Sequence, residues 1–170
     1  MNNEIILVDL DDKIIGRGEK MWVHLHDKLH RAFSVFIVSN NKMLLQKRNI
    51  KKYHSGGLWA NACCSHPRYG ESLEEAVDRR LQEELGISAD AKEIFHFVYR
   101  TSFEEGLTEF EYDHVFLCEY SGKIVPSKDE IETVKWIDIA ELKNDVLENP
   151  KNYASWFLMS LPRVLEILER

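Results

Sequence analysis

The feature that most constrains the fold is a pair of apolar runs around a short polar turn, "RAFSVFIVS", "NNK" and "MLLQKR", at residues 31–48. β-Branched and aromatic residues fill the first run, and an Asn-Asn pair separates it from the second. This pattern is typical of a β-hairpin. The chain is therefore expected to build its core on a sheet.

Further segments add strands around this hairpin. "EIILVDL" and a returning edge "IIGRGEK" precede it, and "EIFHFVYRTSF", "EFEYDHVFLCEY" and "TVKWIDIAEL" follow, the last ending in a short helix. "NIKKYHSGGL" is expected to be a basic, Gly-containing loop. Strands outnumber helices and the connections are irregular, so we expect an α/β (α+β) fold with a mixed sheet rather than a doubly wound one.

Two helices are predicted with clear limits. The first covers Glu71–Leu85, because Ser72 and Glu75 form a capping-box pattern and Gly86 provides a stop. The second, "NYASWFLMSLPRVLEILE", ends the chain and contains Pro162, which predicts a kink or break there. The length suits a single domain over residues 1–170, with a core at about 28–160 and an N-terminal strand extension at 1–27.

Composition excludes several classes of protein. The net charge of -7 argues against non-specific binding to nucleic acid or to a membrane surface, although a local basic pocket is compatible with it. No apolar run approaches the roughly 18 residues of a membrane span, and the N-terminus lacks the pattern of a signal peptide. Three cysteines, two of them adjacent, form a poor disulfide framework. Reduced thiols, a cytoplasmic location and a monomer are the expectation.

Several groups of residues are candidates for chemistry. Glu83 and Glu84 are adjacent on the first helix, and Glu84 shares a face with Arg80, so the helix carries either a solvated ion-pair face or a metal–phosphate site. Glu109 and Glu111 lie on one face of a strand, which is either an acidic solvent face or a cation site. The histidines cluster without a zinc-finger spacing, and basic residues that suit a diphosphate flank them: His24, His26, His30, His66, Lys20, Arg48, Lys52, Arg79 and Arg80.

Cys64 lies two residues before His66 and just ahead of the first helix. A thiol in such a place exchanges protons near neutral pH if its pKa is lowered, and is otherwise a buried, inert residue. The residues alone leave both interpretations open.

"ESLEEAVDRRLQEELGI" at residues 71–87 resembles the Nudix signature G-x5-E-x7-R-E-U-x-E-E-x-G-U. Ser65 stands where the leading Gly belongs, and Arg80 replaces the Glu that follows the first Arg. Nudix hydrolases use that Glu for metal binding and water activation, so Arg80 argues against hydrolysis. The resemblance implies a Nudix-type mixed sheet between helices.

"LHRAFSVF" (residues 29–36), "NACCSHP" (61–67), "YR" (99–100) and "EFE" (109–111) resemble the type I isopentenyl-diphosphate Δ-isomerases, a branch of the Nudix superfamily. The resemblance implies interconversion of isopentenyl and dimethylallyl diphosphate in isoprenoid biosynthesis. It assigns a divalent metal (Mn²⁺, Zn²⁺ or Mg²⁺) to His24, His30, His66, Glu109 and Glu111, with His26 an alternative to His24. Glu84 would help to bind a Mg²⁺ on the substrate diphosphate, and Lys20, Arg48, Lys52 and Arg80 would surround that group.

The same resemblance gives the catalytic roles to Cys64, Glu111 and Tyr99, and places Trp156 against the hydrocarbon. Moving a double bond along an isopentenyl unit needs one proton added and another removed, through an intermediate like a tertiary carbocation. Cys64 on one side and Glu111 with Tyr99 on the other would exchange those protons, and aromatic rings would stabilise the cation. The partner is a small isoprenyl diphosphate. The alternatives are a Nudix hydrolase of a nucleoside or other diphosphate, and a non-enzymatic metal- or redox-sensing module.

Overall fold

The computed structural model describes residues 3–170 and divides them into nine strands and four α-helices. The strands are β1 (Glu4–Val8), β2 (Ile14–Glu19), β3 (His30–Ser39), β4 (Lys42–Arg48), β5 (Trp59–Asn61), β6 (Cys63–Ser65), β7 (Lys92–Ser102), β8 (Thr108–Glu119) and β9 (Ile131–Asp138). The helices are α1 (Lys20–Leu25), α2 (Leu73–Leu85), α3 (Ile139–Glu148) and α4 (Ser155–Leu168), with short 3-10 turns at Glu104–Gly106 and Pro150–Asn152.

Strand β3 is the centre of the sheet. It pairs with β8 in parallel along most of its length, and its other edge meets β1, β6 and β4 in antiparallel register. Strand β7 extends the sheet beyond β8, and β5 and β9 flank β4. The expected mixed sheet is confirmed, with one parallel pair among antiparallel ones.

The predicted hairpin is also confirmed, although its pairing is short. Asn40 and Asn41 both adopt positive φ, at 48° and 60°, which matches the type I′ turn favoured between two adjacent strands. Beyond two cross-strand pairs, β3 and β4 separate, since β6 takes over the edge of β3 and β5 that of β4. The three-residue strands β5 and β6 were not predicted, because each is too short to show a periodic pattern.

Helices cover both faces of the sheet. Phe33, Val35 and Ile37 of β3 pack toward α2, whereas Phe36 and Val38 pack toward α3 and α4. Alternate residues of β3 therefore enter two separate apolar clusters, and the strand is apolar on both faces. The expected arrangement of a sheet between helices is confirmed.

Three local predictions need correction. The segment "IIGRGEK" does not end as a strand, since the Glu19 side chain accepts hydrogen bonds from the backbone N–H groups of Met21 and Trp22 and starts α1 at Lys20. The final helix begins at Ser155 and runs through Pro162 without a break. Helix α2 begins at Leu73 rather than Glu71, with the predicted capping box at Ser72 and Glu75 and a left-handed Gly86 at its end. None of the helices in the described residues is long and apolar enough to cross a membrane.

Candidate active site

Three imidazoles and one carboxylate meet at the start of β3. One ligand atom each of His24, His30, His66 and Glu111 lies within 4.8 Å of all the others, and all four residues are buried. His66 Nε2 is 2.9 Å from Glu111 Oε1, and His30 Nε2 is 3.4 Å from the same oxygen. The parallel register that sets His30 opposite Glu111 brings these side chains together.

Backbone carbonyls orient two of the rings. His24 Nδ1 lies 2.6 Å from the carbonyl of Lys20, and His30 Nδ1 lies 2.8 Å from that of Lys28, so in each ring Nδ1–H donates and Nε2 is left with a lone pair. His24 Nε2 is buried and has no hydrogen-bond partner among the described residues. Inward lone pairs with their opposite nitrogens held by carbonyls are what a divalent metal requires of its ligands.

The protonation of these groups agrees with metal binding. Burial, together with the nearby His30, lowers the pKa of His24 to about 4. Burial also lowers the pKa of His66 well below its ordinary value, in spite of the adjacent Glu111. Although burial opposes it, the adjacent His30 and His66 hold the pKa of Glu111 well below its ordinary value. The neutral imidazoles of His24 and His66 beside the ionised Glu111 carboxylate suit a cation such as Zn²⁺, Mn²⁺ or Mg²⁺.

His24 and His26 occupy different environments. His24 is fully buried in the cluster, whereas His26 is exposed and stacks on Trp22 with its Nδ1 on the carbonyl of that residue. Glu109 lies beside the cluster rather than in it. Its carboxylate is 3.0 Å from the Tyr99 hydroxyl, which donates to Glu111 at 2.6 Å. Burial and the charge of Glu111 raise the pKa of Glu109.

A pocket lies next to this cluster, and residues from both halves of the chain line it. Its walls include the expected groups Lys20, Arg48, Lys52, Cys64, His66, Arg80, Tyr99, Glu109, Glu111 and Trp156. Cys64 on β6 stands opposite Ser34 at one edge of β3, whereas Glu111 on β8 stands opposite His30 at the other edge. The small Ser34 of β3 also lines the pocket, and its hydroxyl donates to Asp113 at 2.8 Å.

The two adjacent cysteines point to opposite sides of β6. Cys63 is fully buried in the apolar cluster under α2, whereas Cys64 faces the pocket. Burial raises the pKa of Cys64 to about 12, although Arg48 opposes the shift, so the thiol carries its proton at neutral pH. All three cysteines are free.

Four cations line the same pocket, namely Lys20, Arg48, Lys52 and Arg80. Burial, followed by the charges of Lys52 and Arg80, lowers the pKa of Lys20. Arg80 pairs with Glu84 on its own helix, and Lys52 pairs with Glu130. The Nε–H groups of Arg48 and Arg80 are buried and have no hydrogen-bond partner among residues 3–170. Unpaired buried donors among several positive charges suit a diphosphate.

Glu84 stands apart from the other expected residues. It is buried, pairs with Arg80 and accepts a hydrogen bond from Gln46 at 3.4 Å, but it does not line the pocket. Burial raises the pKa of Glu84, and Arg80 only partly offsets this. Helix α2 therefore contributes Arg80 to the pocket wall, and Glu84 lies behind Arg80.

Two hydrogen bonds through Asn61 connect Trp156 to the backbone of β6. Its indole Nε1–H donates to Asn61 Oδ1 at 3.1 Å, and the Asn61 amide donates to the carbonyl of Cys63 at 2.7 Å. The guanidinium of Arg48 lies 4.9 Å from the centre of the indole ring. The ring therefore already faces a positive charge.

Sequence reasoning missed several residues around the pocket. His54 is buried in the loop described only as basic, stacks on Phe103, and brings Nε2 to 2.7 Å from Glu109 Oε1 without normal hydrogen-bond geometry. Tyr53 and Glu130 also line the pocket. The Tyr-His pair before two glycines was a usable signal for the loop, whereas nothing in the sequence marked Glu130.

Comparisons with known proteins agree with this architecture. A NUDIX domain model matches residues 28–157. Among solved structures, a Deinococcus radiodurans protein superposes with a TM-score of 0.69 at 16% identity, covering 86% of this chain and 90% of its own. A MutT NUDIX hydrolase from Burkholderia pseudomallei gives 0.65 at 24% identity, with 80% and 98% covered. The chain is therefore a member of the NUDIX class, and these structures speak for its fold alone.

The sequence relatives are more specific. Isopentenyl-diphosphate Delta-isomerase 2 of Aromatoleum aromaticum is 46% identical over 97% of this chain and 88% of its own length. The corresponding isomerase of Serratia proteamaculans is 44% identical over 93% and 89%, and that of Burkholderia multivorans 42% over 100% and 98%. The chain belongs to the isopentenyl-diphosphate Delta-isomerase family.

Proposed function

We propose that this enzyme interconverts isopentenyl diphosphate and dimethylallyl diphosphate by protonating one carbon and deprotonating another, as a step of isoprenoid biosynthesis. The observation that carries the proposal is a single pocket lined by a thiol, a tyrosine-bound carboxylate and four cations. The relatives named above are isomerases of this substrate and match almost the whole chain.

The diphosphate end of the substrate is an anchor. Lys20, Arg48, Lys52 and Arg80 surround it, and the unpaired Nε–H groups of the two arginines donate to its oxygens. No bond to phosphorus changes, so these residues only position the hydrocarbon. Glu84, which lies behind the pocket wall, orients Arg80 through their ion pair.

The hydrocarbon end lies between two groups that exchange protons. Cys64 on β6 and Glu111 on β8 flank the site, and one gives a proton to the double bond while the other takes one from the neighbouring carbon. Tyr99 donates to Glu111 and fixes its orientation. The Trp156 ring faces the positive charge that develops and helps to exclude water, which would otherwise capture the cation.

His24, His30, His66 and Glu111 would hold one divalent metal, with Glu109 alongside. A bound cation there supplies positive charge that fixes Glu111 and tunes its acidity. The donor set of three nitrogens and one oxygen is compatible with Zn²⁺, Mn²⁺ or Mg²⁺. We also propose that the enzyme is a monomer that works in the cytoplasm, and its three free cysteines support that location.

The test is an assay in deuterated water with isopentenyl diphosphate and Mg²⁺, followed by NMR. We expect dimethylallyl diphosphate that carries solvent deuterium, with no release of phosphate. Orthophosphate or a nucleoside monophosphate released from diphosphate substrates, without isomerisation, would instead establish the hydrolase. Arg80 argues against that outcome, because it stands where a hydrolase needs a metal-binding Glu and is already paired with Glu84.

A further inference from the structure

A second group of potential metal ligands lies on the other side of β8 from the pocket. Residues Glu93 and His96 of β7 and His114 of β8 each offer one atom, and these atoms lie within 4.8 Å of one another. His114 is three residues beyond Glu111, so the two side chains leave opposite faces of the strand. Nothing in the proposed isomerase reaction uses this group.

The sheet register brings these side chains together. His96 stands directly opposite His114 in the antiparallel β7–β8 pair, with the ring centres 5.7 Å apart. Glu93 Oε1 lies 2.7 Å from His114 Nδ1 and 3.4 Å from His96 Nδ1. Two ligands at about 2.1 Å from a tetrahedral zinc are about 3.4 Å apart, so the His96 contact already fits and the Glu93 side chain needs only a small shift.

A carboxylate behind His114 fixes the tautomer of its ring. His114 Nε2 lies 3.0 Å from Asp12 Oδ2, while Arg31 donates to the other oxygen of Asp12 and to its backbone carbonyl, both at 2.8 Å. Nε2–H therefore donates to the Asp12 carboxylate that Arg31 holds in place, and in a neutral His114 ring Nδ1 then carries a lone pair. That lone pair faces a Glu93 carboxylate oxygen, and two acceptors at this distance repel unless a cation separates them.

We propose that Glu93, His96 and His114 form a peripheral site for a divalent transition metal of the zinc class, with Asp12 as the carboxylate behind the buried ligand. Two imidazoles and one carboxylate select Zn²⁺, Ni²⁺ or Cu²⁺ over Mg²⁺, and the half-exposed Glu93 and His96 leave the remaining position to water. A carboxylate–histidine–metal arrangement of this kind is a recurrent feature of zinc sites.

The site has a structural consequence. Asp12 belongs to the turn between β1 and β2, which precedes the residues that match the NUDIX domain, whereas the three ligands belong to β7 and β8. A metal on His114 strengthens its bond to Asp12 and so ties the N-terminal hairpin to the sheet. The same hairpin leads directly into α1, which carries Lys20 and His24.

The test is equilibrium dialysis of the full chain against Zn²⁺ alone, with bound zinc counted by elemental analysis. We expect the wild type to bind one more zinc per chain than the double variant Glu93→Gln/His96→Asn, which retains the His24, His30 and His66 cluster. The matched control His26→Asn removes an exposed imidazole elsewhere and keeps the wild-type count. Equal counts in the wild type and the double variant would overturn the site and leave His114 as an imidazolium between two carboxylates.

A second variant tests the role of Asp12. Asp12→Asn should leave the number of bound zinc ions unchanged at saturation but weaken the additional one by about 10–100-fold, which is the usual effect of losing a carboxylate behind a ligating histidine. An unchanged affinity would show that Asp12 does not support the ligand.

Discussion

At the scale of single residues, the neighbouring Cys63 and Cys64 differ most clearly in their surroundings. They share one three-residue strand, and the alternation of β6 sends Cys63 into the core and Cys64 into the pocket. Identical chemistry in two environments allows the catalytic role to be separated from a packing role.

Replacing Cys64 by Ala is expected to lower turnover by at least about 10²-fold while the chain stays folded, because one of the two proton-transfer groups is lost. Cys63→Ala should keep turnover near that of the wild type and cost about 1–2 kcal/mol of unfolding free energy, since it leaves a small cavity in the core. Turnover of isopentenyl diphosphate and urea unfolding measure the two effects. A Cys64→Ala enzyme with wild-type turnover would remove the thiol from the mechanism.

The family resemblance could predict which residues form the candidate site, but the local pattern of the sequence could not show that they lie close together. The family resemblance supplied His24, His30, His66 and Glu111, which the structure brings within 4.8 Å of one another. Their meeting depends on the parallel β3–β8 register, which joins segments about 80 residues apart and leaves no trace in local periodicity. His54 and Glu130 were missed for the same reason.

At the scale of elements, helix α2 was predicted most accurately, because its signals are local. A capping box, an apolar stripe and a terminal glycine each act within one or two turns. Helix α1 was missed because its cap is a glutamate, an uncommon capping residue, and because its six residues are too few to show an apolar period.

An ion pair between Glu71 and Arg79, whose strength depends on pH, also stabilises the start of α2. Glu71 accepts two hydrogen bonds from Arg79, at 2.6 and 2.9 Å, and one from the backbone of Arg68. The Arg79 contact lowers the pKa of Glu71 below its ordinary 4.5. The pair therefore stabilises the fold fully above pH 4.5, and this stability is lost as the pH falls through the folded-state pKa.

Glu71→Gln is expected to cost about 1–2 kcal/mol of unfolding free energy at pH 7, after allowance for partial exposure of the pair. The difference from the wild type should vanish in acid, where the wild-type carboxyl is also neutral. Chemical unfolding over a pH series measures it, with Glu74→Gln, an exposed residue on the same helix, as control. A cost that does not change with pH would mean that Glu71 contributes through packing rather than charge.

At the scale of the whole molecule, the N-terminal hairpin and α1 belong to both the core and the pocket. Ile6 and Val8 pack on Tyr112 behind the sheet, while Lys20 lines the pocket and His24 joins the metal cluster. The N-terminal segment therefore supplies the cation site with one of its four converging ligands. Whether residues 28–160 behave as a core remains a prediction.

Deleting residues 1–27 is expected to abolish turnover and to lower stability, since burial of Ile6 and Val8 alone contributes about 1.5–3 kcal/mol each. His24→Asn should abolish or strongly reduce turnover and weaken metal binding with little loss of stability, because the hairpin remains in place. Turnover, bound metal and the urea midpoint distinguish the two variants. A truncated chain with wild-type turnover would show that neither Lys20 nor His24 is needed.

The ion pairs that Glu130 forms with cations of the pocket have a consequence for ligand selection. Glu130 contacts both Lys52 and Arg80, so the free enzyme already neutralises part of its anion site with one of its own carboxylates. An incoming anion must compete with that carboxylate as well as with water, and its affinity is the difference between the two interactions. A ligand with a single negative charge gains little binding free energy when it replaces Glu130. A diphosphate binds the cations more strongly than Glu130 does, because it has more negative charge and more oxygens. In the proposed reaction, the pocket therefore discriminates by charge before the hydrocarbon reaches Cys64.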